Sequence, residues 1–170
     1  MPRMQPKLIV RDLSVWTSMF VLLWAEARAL EQGAAAALSI SLGVLASVFV
    51  AGCVLYLHEA GHLLGSLATR SVVHYPTKIS APLLFDFDVA NNDRRQFLAM
   101  SLGGYLGSIA SIALVFAFMP LDRLSGKLSV GLALLNGLIS LVLEGPTTWR
   151  VLRGGEPPRA LLHVAHDPDA

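Results

Sequence analysis

Two histidines four residues apart, with a glutamate beside the first, form the run His58-Glu59-Ala60-Gly61-His62 in this 170-residue chain. On a helix, residues four apart lie one above the other, so both imidazoles can reach one metal ion. Glu59 sits one step along the same turn, placed to accept a proton from a metal-bound water. A catalytic zinc takes three protein ligands and keeps one position open, so a third ligand must come from elsewhere in the chain. Glu144 is the candidate, because a carboxylate completes a two-histidine set. The competing account of Glu144 is a carboxylate at a helix end that reaches for water. His74, Asp86 and Asp88 are weaker candidates on a connecting segment. His163 and His166 lie in a polar tail, where a frayed terminus does not preorganise a site. Cys53, the single cysteine, sits inside an apolar run and reads as a small buried hydrophobe.

The elements that must position these residues are membrane helices. The chain is 54% hydrophobic and 15% charged, with a mean hydropathy of +0.59. Soluble domains carry about 25% charged residues. A net charge of +1 and the lack of a basic patch interleaved with aromatics exclude a nucleic-acid partner as an expectation. After a basic start (Arg3, Lys7, Arg11), an apolar stretch runs from Leu13 to about Leu30. It reads as a first membrane helix, with a cleaved signal peptide ending near Ala25 and Ala27 as the alternative. Ala34 to Leu57 contains no charged residue, is long enough to cross a bilayer, and continues through the His-Glu-x-x-His run to about Ala68. Such a helix is roughly 50 Å long against a hydrocarbon core of about 30 Å, which places the two histidines near one boundary.

Residues 69–93 change character. Val72 to Ile79 and Leu83 to Val89 are β-prone runs, bounded by Pro76 and Pro82, and Phe85-Asp86-Phe87-Asp88-Val89 alternates with the strand period. An interfacial β-hairpin is expected, with a plain loop as the alternative. An exposed strand edge here could hold an extended peptide by strand addition. Asp93 and Gln96 have the spacing of a capping box and start a third helix, Phe97 to Met119, whose Gly103-x-x-x-Gly107 favours close helix packing in lipid. Leu128 to Leu143 forms a fourth helix. Its Asn136, Ser140 and Glu144 recur every four residues as one polar stripe, and Gly145-Pro146 is expected to end it. Asn136 has two open readings, a hydrogen-bond donor to substrate or oxyanion and a polar contact between helices.

The expected architecture is therefore an all-α membrane protein of about four transmembrane helices, with a short interfacial β-hairpin or loop after the second. It divides into residues 1–33 (basic segment and first helix), 34–150 (catalytic membrane core) and 151–170 (polar tail). With the N-terminus inside, ten Lys and Arg residues fall on the inner segments and three on the outer ones. That bias places His58, His62 and Glu144 at the cytoplasmic face of a multi-pass protein of the inner (plasma) membrane.

On these residues the chain resembles the site-2 protease family of intramembrane zinc metalloproteases (peptidase family M50), and its short M50B-like members in particular. The likeness rests on His58-Glu59-Ala60-Gly61-His62, on Gly104-Tyr105-Leu106-Gly107, and on Asn136 to Gly145, where the family has Asn, seven residues, then Asp-Gly. It covers about residues 34–150. It implies zinc (Zn2+) held by His58, His62 and the carboxylate at 144, with Glu59 as the base and a membrane-embedded β-element after the first run. Where the family has Asp, this chain has Glu144, and positions 137 and 139 are Gly and Ile in place of the family's prolines. The expected activity is cleavage of a membrane-embedded or membrane-proximal peptide, with the bilayer and a regulatory membrane protein as partners. Two other classes stay open: an inactive membrane scaffold of the same fold, and a membrane zinc hydrolase or metal-handling protein with a non-peptide substrate.

Overall fold

The computed structural model describes residues 6–78, 81 and 83–158. Four long helices carry the chain: α1 (Pro6–Glu31), α2 (Ala36–Ala68), α3 (Arg94–Phe118) and α4 (Leu124–Leu152). Each is long and apolar enough to cross a membrane, and the protein is read as multi-pass. Its surface fits that reading. Phe118, Leu106, Leu64 and Phe20 point outward, while Ser47, Ser66, Ser108, Ser111, Ser125 and Ser129 are buried between helices. Small hydroxyl residues inside and bulky apolar ones outside is the pattern of helices packed in lipid.

α1 starts earlier than the apolar stretch suggested. Pro6 opens it, where a fixed φ and a missing N–H cost nothing. Burial of Leu8 and Asp12 carries the basic segment into the helix. α2 is 33 residues long and packs along α1, α3 and α4. A cluster of Met19, Val50, Cys53, Val54, Val115 and Ala133 fills the space between the helices, and Cys53 is buried within it. The tightest seam joins α2 and α3. A Cβ built on Gly103 would strike the Gly61 carbonyl oxygen, so only glycine permits these backbones to touch.

α3 begins in the capping box expected from its sequence. The Gln96 amide donates to Asp93 Oδ1 and the Asp93 amide to Gln96 Oε1, both at 2.8 Å. Pro120 forces Met119 into an extended conformation and stops the helix there.

Between α2 and α3 the β-element is present but shorter than expected. β1 (Val73–His74) and β2 (Asp86–Phe87) pair antiparallel, Val73 opposite Phe87 and His74 opposite Asp86. Asn92 extends the pairing with its side chain, donating to Val72 O at 2.8 Å and accepting from Val72 N at 2.7 Å. The hairpin lays Val73, Leu84, Phe85 and Phe87 over Phe97, Met100 and Val151. Pro82, expected at a turn, lies outside the described residues, as do His163 and His166.

The expected break at Gly145-Pro146 does not occur. α4 runs through Pro146 to Leu152, so Thr147 to Leu152 belong to the helix and not to a tail. Proline removes one backbone donor, but neighbouring helices can hold the segment in place. Val151 is buried under the hairpin. Arg94, at the start of α3, donates to the Val151 and Leu152 carbonyls at 2.8 and 2.9 Å and caps the last turn. The polar end of α4 is stabilised by contacts far away in sequence.

Candidate metal centre

Three helices build the site. α2 presents His58 and His62 on one face, 2% and 8% exposed. α4 brings Glu144 to them from 86 residues away, with Oε1 at 3.1 Å from His58 Nε2 and Oε2 at 3.3 Å from His62 Nε2. The two Nε2 atoms are 3.0 Å apart. The three residues can offer ligand atoms all within 4.8 Å of one another. A tetrahedral zinc with bonds of about 2.0–2.2 Å places its ligand atoms roughly 3.3 Å apart. The triangle has the right size.

α3 sets the rings. His62 Nδ1 donates to the Met100 carbonyl at 3.0 Å. His58 Nδ1 donates to the Gly104 carbonyl at 3.1 Å and meets the Ser108 hydroxyl at 2.8 Å. Because a carbonyl only accepts, each neutral imidazole carries its proton on Nδ1 and turns a bare Nε2 lone pair inward. Two such lone pairs and a carboxylate converge on one point. Glu144 Oε2 has no hydrogen-bond partner, although it is near His62. An acceptor cluster of this kind fits a cation, and a divalent metal bound by two imidazoles and a carboxylate suits it well.

Gly104 has a second role. A Cβ at this position would overlap the His62 imidazole, so the residue whose carbonyl orients one histidine also makes room for the other.

A cavity of about 130 Å³ opens beside the cluster. Glu59, His62 and Glu144 line it, with Phe85, Phe87 and Met100 among its apolar walls. Glu59 also borders a second cavity of about 150 Å³ walled by Asp12, Trp16 and Tyr56. Glu59 thus shares a cavity wall with His62 and Glu144.

Of the weaker candidates, Asp86 lines the first cavity, outside the ligand triangle. His74 and Asp88 pair with each other at 3.1 Å on the hairpin. Asn136 shares the stripe with Glu144 but lies about 12 Å from it along the helix. Its buried Nδ2 has no hydrogen-bond partner, so that amide nitrogen does not tie helices together.

Met100, Gly104 and Ser108, the partners of the imidazoles, are not among the candidates that the sequence marks. Their signal was in the chain. They repeat every four residues on α3, the same interval as His58 and His62 on α2, so two matching faces can meet turn for turn.

No family model, no curated protein and no solved structure matches this chain.

Proposed function

We propose that the chain is a zinc-dependent endopeptidase of the membrane, similar to the site-2 proteases, acting on a peptide embedded in or lying next to the bilayer. One observation carries the reading: the His58, His62 and Glu144 ligand atoms converge between helices long and apolar enough to cross a membrane, with the Nδ1 atoms of both imidazoles held by α3 carbonyls. An ionisable cluster inside membrane helices is costly and marks function by default.

Zinc held by His58, His62 and Glu144 would supply a Lewis acid that acidifies water and polarises a carbonyl. The protein does the rest. Glu59, on the wall of the adjoining cavity, accepts the proton of the attacking water and returns it to the leaving amine. The apolar cavity walls keep bulk water from the reacting groups and receive a peptide side chain. Asn136 offers an unused buried donor farther along the same face of α4, suited to a substrate backbone carbonyl. The excess of Lys and Arg on one side supports a reading with the site toward the cytoplasmic face, here of the plasma membrane.

The test is metal content and proteolysis of the purified protein. Wild type should hold one zinc per chain and cleave a membrane peptide. Glu59→Gln should keep the metal and lose cleavage. Absence of bound zinc refutes the site, and undiminished cleavage by Glu59→Gln refutes the mechanism.

A further inference from the structure

A second polar cluster lies near the other end of α2, about 22 Å from the metal centre along the helix. Glu26 of α1 is 2% exposed. Its Oε1 accepts from the Ser125 amide, in the first turn of α4, at 3.4 Å. Oε2 has no hydrogen-bond partner. The carboxylate lies over Gly43 of α2, with Oε1 2.6 Å from where a Cβ would stand. Ser47, one turn along α2, shares its single hydroxyl proton between the Gly43 carbonyl at 2.7 Å and the Ser125 carbonyl at 3.2 Å. Three helices therefore meet around one buried carboxylate.

Hydroxyls on the same two helices, α2 and α4, are also unused. Ser125 Oγ, Ser129 Oγ one turn along α4, and Ser39 Oγ one turn before Gly43 are buried without hydrogen-bond partners. Among the described residues no cation pairs with Glu26; Arg28, two residues on, pairs with the exposed Glu31. A charged carboxylate in an apolar bundle requires compensation. The α4 N-terminus supplies part of it to Oε1 and leaves Oε2 unused.

The donors are hard oxygens, one carboxylate and the neutral Ser125 hydroxyl, with no imidazole or thiolate for a transition metal. Their single negative charge matches a monovalent ion, whereas a divalent ion would leave net charge buried in apolar surroundings. We propose that Glu26, with Ser125, forms a second cation site, for a small monovalent ion of the sodium type. The ion ties α1 to α2 and α4. This site is independent of the metal centre and of the proposed proteolysis.

The experiment uses the full chain in detergent, first in choline chloride and then with choline replaced stepwise by sodium at constant chloride. The thermal unfolding midpoint should rise by several degrees and saturate. Glu26→Gln should abolish the sodium-dependent rise, and so should Gly43→Ala, which puts a methyl group where the carboxylate lies. Glu31→Gln should retain it. Ser125→Ala should weaken the apparent sodium affinity several-fold, which gives a reading even where Glu26→Gln does not fold. A midpoint indifferent to sodium overturns the proposal and leaves the cluster to water or a proton. A rise that persists in Glu26→Gln, or that calcium alone produces, overturns it equally.

Discussion

The Nε2 atoms of His58 and His62 face each other at 3.0 Å while the Nδ1 atom of each ring meets a backbone carbonyl. Two lone pairs at that distance repel unless a positive charge lies between them and Glu144. Metal should therefore stabilise the fold as well as arm it, because binding to the folded state alone adds directly to stability. Chelation should lower the unfolding midpoint, and zinc should restore it. His62→Ala should abolish both responses. Equal midpoints with and without chelator would mean that the triangle is closed by a proton.

Ser108 offers a graded version of the same test. Its hydroxyl lies 2.8 Å from His58 Nδ1, beside the Gly104 carbonyl, which also takes that proton. Loss of a group that orients a ligand costs about 10–100-fold in metal affinity. Since Gly104 remains, Ser108→Ala should fall near the lower end, about tenfold. Competition for zinc with a chromophoric chelator measures it. Unchanged affinity would show that the hydroxyl does not orient the ring.

The parts of this arrangement that sequence made legible are those with a short period. Hydropathy gave four helices, the four-residue spacing gave His58 with His62, and the stripe on α4 pointed to Glu144. The Asp93–Gln96 capping box is local and was equally readable. The continuation of α4 past Pro146 was not. It rests on Val151 under the hairpin and on Arg94 capping from another helix, contacts made across more than 50 residues. The tautomers of the two histidines depend on the α2–α3 seam in the same way. Periodicity sees one element at a time, and these contacts belong to pairs of elements.

Two neighbouring glycines on that seam should separate fold from site. A Cβ on Gly103 meets the Gly61 backbone, which cannot swing aside, whereas a Cβ on Gly104 meets the His62 ring. Gly103→Ala should loosen the helix pair and cost about 1–3 kcal/mol, as overpacking does, with or without metal. Gly104→Ala should push the imbalance onto the ligand, with loss of zinc exceeding loss of chelator-treated stability. Thermal unfolding of both variants with zinc and with chelator distinguishes the two. Identical behaviour would remove the special role assigned to Gly104.

Asp88 gives the hairpin a pH dependence of known sign. The Asn91 side-chain amide donates to Asp88 Oδ2 at 2.8 Å, and the backbone amides of Ala90 and Asn91 reach Oδ1 at 3.1 Å. The Asn91 amide first, then the His74 ring, holds the carboxyl below its ordinary value. A carboxylate whose folded value is depressed adds stability above its unfolded value, about 3.9, and that stability is lost as pH falls through the folded value. The turn from Asp88 to Asn91 should therefore stay intact through mildly acid conditions and loosen only below about pH 4. Carbon-detected NMR titration of the Asp88 carboxyl should give a midpoint below that of a model peptide, and Asn91→Ala should raise it. An ordinary midpoint in wild type, or one unmoved by Asn91→Ala, would show that the turn does not depend on this charge.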